Sequence, residues 1–414
     1  MNPPPRRRIA GVIALTLATA VLIAACSPGD DSTEDVETVS PGITDDALLL
    51  GMSAPLSGST ADAGACAVAG LTSYLEAQNA AGGFEFGDGA TRQVTLEYLD
   101  DAYDPATAQA NFRQLVEDGV FAYVGALGTS TNAAVVPVAD ELGVPQVLLL
   151  TGATAFSSDQ TANPWTSGLL PTYYDEGHAF GEFLAGRGEV QVATLAQDDA
   201  YGDDYLAGFR DAIDGTEVRI VASAAFDPSV PDLNAQVREL AASGADALLS
   251  AVSVASLQAG VLTAAHGAGW TPEVFLPSNT STPETVVLPG NGAAYPAVYT
   301  TSFAKSPADP DVAGDADVLA YAAAFTAYGA SIAPVSTPHC GWSYTEGAIL
   351  AEAFAGMTEP TRASFLQALR GIEDFDAPLL LDGVDVDTTD LTRPAIRGLV
   401  LVKFDVQGFA PVDG

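Results

Sequence analysis

Residues 121–154 read FAYVGALGTSTNAAVVPVADELGVPQVLLLTGAT. An apolar run from Phe121 to Ala126 ends on glycine and hydroxyl residues, an amphipathic stretch follows from Asn132 to Leu142, and a second apolar run from Gln146 to Leu150 ends on Thr151-Gly152-Ala153-Thr154. Short apolar runs alternating with stretches of helix length are the signature of parallel βαβ units. Upstream the same alternation predicts strands over 47–54 and 93–99 and helices over 65–81 and 105–118. Asp104-Pro105 is a good helix start, because a carboxylate caps free N–H groups and proline fits the first turn.

Downstream, NPWTSGLLPTYYDEG (163–177) breaks the rhythm with aromatic, proline and glycine residues and reads as a crossover between lobes. A second series then begins, with strands over 190–196, 217–225, 247–251 and 274–276 and helices over 201–212, 232–242 and 255–266. An extended segment over 297–303, helices over 315–328 and 342–355, and a β-rich tail with turns at Asp382-Gly383 and Thr392-Arg393-Pro394 complete the chain. The folded part, about 370 residues, exceeds what a single core usually holds and predicts two domains. The expected class is α/β, each lobe a mostly parallel sheet flanked by helices.

The N-terminus carries Arg6-Arg7-Arg8 and then an apolar run from Ile9 to Ala25, the pattern of a signal peptide over 1–25. The run closes on Ile23-Ala24-Ala25-Cys26, which resembles a bacterial lipobox and marks Cys26 for lipidation. Acyl chains there would each add about 0.8 kcal/mol per buried methylene, and several chains anchor stably. Residues 26–43 are acidic and poor in large apolar side chains, so a flexible tether is expected. The expected location is the extracytoplasmic face of the cell membrane.

A formal net charge of −38 excludes nucleic acid as a partner, since phosphates demand Lys and Arg. With Cys26 assigned to lipid, Cys66 and Cys340 remain, and the histidines are His178, His266 and His339. That set makes no metal site, and no cofactor is expected. The nucleophile elbow, Walker loop, zinc-protease and dinucleotide fingerprints are all missing, so the chain is expected not to be an enzyme.

Ligands of open α/β sheets bind at the carboxyl ends of strands. The loops there offer Ser57, Thr129, Ser130, Thr131, Gly152, Ala153 and Thr154 in the first series and Asp199, Tyr201, Ser253 and Asn279 in the second. Small hydroxyl residues at helix starts also serve simply as caps. The runs Gly128–Thr131 and Gly152–Thr154 suit an anion best, because glycine allows close approach and free N–H groups favour negative charge. Tyr173 and Tyr174 in the crossover either line a cleft or pack a hinge.

Seven motifs in order carry a resemblance: Ala54-Pro-Leu-Ser-Gly58, Asn79-Ala-Ala-Gly-Gly83, Asp100-Asp-Ala-Tyr-Asp-Pro105, Gly143-Val-Pro145, Gly152-Ala-Thr154, Asp199-Ala-Tyr-Gly202 and Ala242-Ser-Gly-Ala-Asp246. Together they resemble the type I solute-binding proteins of ABC transporters, specifically the branched-chain amino-acid (Leu/Ile/Val) binding family. The resemblance implies a two-lobed periplasmic-binding-protein-like type I fold with three hinge crossovers, near 165–175, 295–300 and 375–380, that closes on its ligand. It implies a first lobe of 44–171 plus 298–376 and a second of 172–297 plus 377–414. It implies a monomer that captures a small solute and delivers it to an ABC permease and ATPase complex.

Carried across by motif, Thr129–Thr131 and Gly152–Thr154 would hold a ligand carboxylate, with Tyr201 on the facing lobe. Where amino-acid binders hold an ammonium with acids, Tyr173 stands, and Val254–Gln258 contains no acid. Burying an unpaired ammonium costs several kcal/mol, so an organic carboxylate or an amide-like solute is expected rather than a simple α-amino acid. The resemblance also places the helices after Cys66 and Cys340 in the first lobe near the cleft, where the two cysteines form a disulfide or stay as buried thiols. Two alternative functions share the chain's features: a sensor reporting to a regulatory partner and, more remotely, an exported hydrolase.

Overall fold

The computed structural model describes residues 39–282, 285–286, 295–405 and 408–412; the expected leader, Cys26 and most of the tether lie outside the described residues. The tether expectation runs to residue 43, yet Ser40 is buried, its N–H donating to Pro360 O at 3.0 Å and its hydroxyl accepting from Arg362 N at 3.0 Å. Ile43 is buried as well and forms a bridge to Leu48. The packed chain therefore begins a few residues before Thr44.

The first series comprises β1 (Ala47–Ala54), α1 (Ala61–Ala81), β2 (Phe84–Glu85), β3 (Thr91–Asp100), α2 (Pro105–Glu117), β4 (Ala122–Val124), α3 (Thr129–Leu142), β5 (Gln146–Leu149) and β6 (Thr166–Gly168). Its sheet runs β2-β3-β1-β4-β5-β6, parallel throughout except where β2 meets β3. Both faces of such a sheet are covered, so its strands are apolar runs. In β1, Leu48, Leu50, Met52 and Ala54 are each at most 1 % exposed. Asp104 caps α2 as its position suggests, accepting from Thr107 N at 2.7 Å.

The second series comprises α4 (Tyr173–Ala185), β7 (Val190–Gln197), α5 (Ala200–Ile213), β8 (Val218–Phe226), α6 (Asn234–Ala241), β9 (Ala247–Ala251), α7 (Ala255–Gly267), β10 (Glu273–Phe275) and β11 (Val298–Ser302). Then follow α8 (Ala316–Ala324), α9 (Pro338–Gly356), α10 (Arg362–Leu369), β12 (Asp385–Val386), β13 (Ile396–Arg397), β14 (Val400–Phe404) and β15 (Phe409–Pro411). The second sheet runs β15-β14-β11-β10-β9-β7-β8, with β14 and β15 antiparallel additions to a parallel set. The α/β expectation of two mostly parallel sheets holds.

Strand membership departs from the expected cuts. β11 begins at Val298 and pairs with β10, so it belongs to the second sheet and not with the segment expected to return to the first lobe. The stretch 377–397 stays with the first sheet: Leu381 N donates to Phe303 O, Ala395 N to Gly168 O and Ile396 N to Leu169 O. Within the expected crossover, Thr166–Gly168 form the edge strand β6 and Tyr173 onward starts α4, and the helix expected over 315–328 loosens into a wider turn at Phe325–Gly329.

Cys66 on α1 and Cys340 on α9 are joined by a disulfide, S–S 2.08 Å, and both are fully buried. On the other sheet, α4 and α5 touch backbone to backbone. A Cβ on Gly208 would stand 1.9 Å from Tyr174 O and one on Gly177 would stand 2.2 Å from Tyr205 O, so only glycine permits this crossing. In both sheets the strand order reverses beside the first strand of the series, at β1/β4 and at β7/β9. Such switch points open a crevice at the strands' carboxyl ends.

Candidate functional site

The loops after β4 and β5 come together through hydroxyls. Thr129, 4 % exposed at the start of α3, and Thr151, 1 % exposed after β5, share a hydrogen bond of 2.9 Å. Gly128 precedes them at φ +116, and the ring of Tyr103 lies where its side chain would be, 2.7 Å from an ideal Cβ. A left-handed backbone and a ring pressed on the Cα both require glycine here.

The start of α4 faces this pair. The Tyr173 ring covers Gly152, and contacts with Thr151, Gly152 and Thr129 partly offset the burial that pushes its hydroxyl up to about 12. Around it Tyr201 and Tyr205 of α5 complete an aromatic cluster, with ring centroids 4.6 and 5.1 Å from Tyr173. Residues i and i+4 share a helix face, which is why Tyr201 and Tyr205 act together. The Tyr201 hydroxyl donates to Asn279 Oδ1 at 3.0 Å, fixing the ring against the loop after β10.

The remaining expected residues divide. Asp199 caps α5, accepting from Tyr201 N at 3.0 Å and from Gln197 Nε2 at 2.6 Å, and Ser253 donates to Gln197 Oε1 at 2.6 Å. These three form a polar rim from β7 to β9. Thr131 turns its hydroxyl to Leu127 O at 3.1 Å, a local backbone bond. Ala153 is buried, Ser130 half-buried. Thr154 gives both its N–H and its hydroxyl to Asp204 of α5, each at 2.8 Å.

Two expected residues stand apart from the cluster. Ser57 is exposed beside Asp100, and its hydrogen bond helps hold that carboxyl below its ordinary range against the opposing effect of burial. Tyr174 sends its hydroxyl to Asp211 at 2.8 Å on the exposed side of α5 and stacks on His178. Consecutive helical positions diverge by about 100°, so Tyr173 and Tyr174 do not share a face.

The sequence reading passed over Tyr103, Asp204, Tyr205 and Glu176. Helical spacing from Tyr201 was the available signal for Asp204 and Tyr205. Tyr103, at φ 63 within the Asp100–Pro105 motif, carried no such periodicity. Glu176 is 3 % exposed at the start of α4 and accepts from Ser278 N at 3.1 Å, Ser278 Oγ at 2.9 Å and Thr301 Oγ1 at 2.6 Å. Burial nevertheless raises its carboxyl above the ordinary range. The charged groups acting on Tyr103, Tyr173 and Tyr201 are Asp101, Asp199 and Glu176, all acidic.

Among the described residues no group of three or more His, Cys, Asp or Glu could hold a metal ion, and no helix is long and apolar enough to cross a membrane.

The profile of a family described as periplasmic binding protein matches residues 48–408. A Leu/Ile/Val-binding protein homologue from Brucella melitensis is 28 % identical over 202 residues, 48 % of this chain and 52 % of that protein. The chain thus spans about half the length of the curated relatives it matches. Among solved structures, a substrate-binding periplasmic protein from Ralstonia solanacearum aligns with a TM-score of 0.74 at 22 % identity, covering 87 % of this chain and 98 % of that one. A fatty acid ABC transporter substrate-binding protein from Thermomonospora curvata aligns with a TM-score of 0.77 at 19 % identity, covering 91 % and 93 %.

Proposed function

Because the chain belongs to the periplasmic binding protein family, we propose that it is the extracytoplasmic substrate-binding component of an ABC importer, capturing one small solute between its two sheets and releasing it unchanged. The observation that carries this reading is the meeting of Thr129 and Thr151, from first-sheet loops, with Tyr173 and Tyr201, from helices of the second. Hydroxyls that orient and aromatic faces that exclude water are what a small-molecule cleft needs.

The rigid lobes in this reading are 40–171 with 303–398 and 172–302 with 399–412, following the strands' hydrogen bonding. The solute is amino-acid-like, an organic carboxylate or an amide, since relatives named for Leu/Ile/Val and for fatty acid share the architecture. A thiol-linked lipid on Cys26 would hold the protein at the membrane face beside its permease.

Purified protein is screened by thermal shift and then by calorimetry against amino acids, aromatic and aliphatic acids and their amides. One class should raise the melting temperature, with the gain lost in Thr129→Ala and Tyr201→Ala. A copurified solute identified by mass spectrometry would name it. Chemical conversion of a bound solute, or binding that both substitutions leave unchanged, defeats the reading.

A further inference from the structure

Thr154 and Asp204 lie 50 positions apart, on the loop after β5 and on α5, yet they meet as one bidentate pair. The N–H of Thr154 donates to Oδ2 and its hydroxyl to Oδ1, each at 2.8 Å. One N–H and one O–H converging on the two oxygens of a single carboxyl group form a complete carboxylate grip, and each such charge-assisted bond is of the stronger kind. The grip is filled by the protein itself. The nearby tyrosines Tyr103, Tyr173 and Tyr201 feel the acids Asp199, Asp101 and Glu176. Asp203, beside Asp204 in the chain, adds a further acid.

We propose that Asp204 is a resident carboxylate of the cleft: it occupies the donors with which Thr154 would hold a solute's carboxylate, and in doing so draws the two lobes together before any solute arrives. A carboxylate solute entering here has to displace Asp204 and add a second negative charge to an acidic site. A solute that presents an uncharged amide, a hydroxyl or an ammonium leaves the pair intact and gains from the acids around it. The cleft thereby selects against carboxylates at this end. The solute preference rests on the solute-binding reading above; the latch itself does not.

Both residues are only partly buried, so substitutions there should preserve the fold, which circular dichroism verifies. Small-angle scattering of solute-free protein compares the wild type with Asp204→Ala and Asp204→Asn. The expected result is a larger radius of gyration in both variants, and equal radii in all three overturn the latch. Calorimetry then pairs benzoate with benzamide and leucine with leucinamide. The wild type should favour the amide of a pair by at least tenfold, and Asp204→Ala should erase or reverse that preference. Tighter binding of the acid by the wild type, weakened in Asp204→Ala, overturns the selection. If no variant binds any of the four probes or a copurified solute, the solute-binding reading is what fails, while the scattering still decides the role of Asp204.

Discussion

Oε2 of Glu176 accepts the hydroxyl of Thr301 at 2.6 Å, which fastens the first turn of α4 to β11. The same carboxyl takes the N–H and hydroxyl of Ser278, so the loop after β10 and strand β11 both close on one buried group carried by α4. All three donors come from where the chain passes between the sheets or ends a strand. A buried carboxyl with three donors ties these segments together.

Glu176→Ala should therefore destabilise the protein by about 2–4 kcal/mol, because each buried donor left unpaired costs roughly 1–3 kcal/mol and solvent recovers part of it. Glu176→Gln should cost less, since the amide oxygen still accepts. Urea unfolding monitored by tryptophan fluorescence checks both, and equal midpoints for wild type and Glu176→Ala would contradict the assigned role.

Glu346 of α9 supplies a pH test. It is fully buried, both carboxyl oxygens lack a hydrogen-bond partner, and a side chain on Gly125 would meet one of them at 2.3 Å. Burial pushes its carboxyl well above the ordinary range. In the folded protein the proton is thus held to higher pH than in the unfolded chain. The folded state binds more protons between the two values, so this residue's contribution is fully present below the ordinary carboxyl range and is lost as pH rises through the folded value. Glu346→Gln should flatten that decline, read as a smaller difference between urea midpoints at pH 5 and pH 8.

Gly208 tests how the aromatic cluster is placed. A Cβ there would stand 1.9 Å from Tyr174 O and 3.0 Å from His178 N, so Gly208→Ala forces α4 and α5 apart. Overpacking of this sort costs about 1–3 kcal/mol. Because α4 carries Tyr173 and α5 carries Tyr201, the thermal shift given by a bound solute should also fall. Gly260, on α7 with open space around it, is the control, and Gly260→Ala should be neutral or slightly stabilising.

The alternation of apolar runs and amphipathic stretches made most strands and helices legible, since buried parallel strands and covering helices differ in period and length. It could not assign β11 to a sheet, because a strand's pattern says that it is buried and not which neighbour it pairs with. α10 escaped notice because eight residues give little more than two turns of periodicity. Within the site, strand-end hydroxyls led to Thr129 and Thr154, and helix spacing would have led onward from Tyr201 to Asp204 and Tyr205. The meeting of Thr154 with Asp204 joins a loop of the first sheet to a helix of the second series, and such a contact depends on how the sheets face each other.

The disulfide between Cys66 and Cys340 spans 274 positions, and every residue of β7 through β11 lies inside the interval. The chain is consequently a covalent ring with two tails, the ring containing most of the second sheet and the tails returning to both sheets. A protease that cuts once anywhere inside the ring releases nothing: both pieces stay in one covalent molecule, heavier only by the water of hydrolysis, until a reductant and a denaturant separate them.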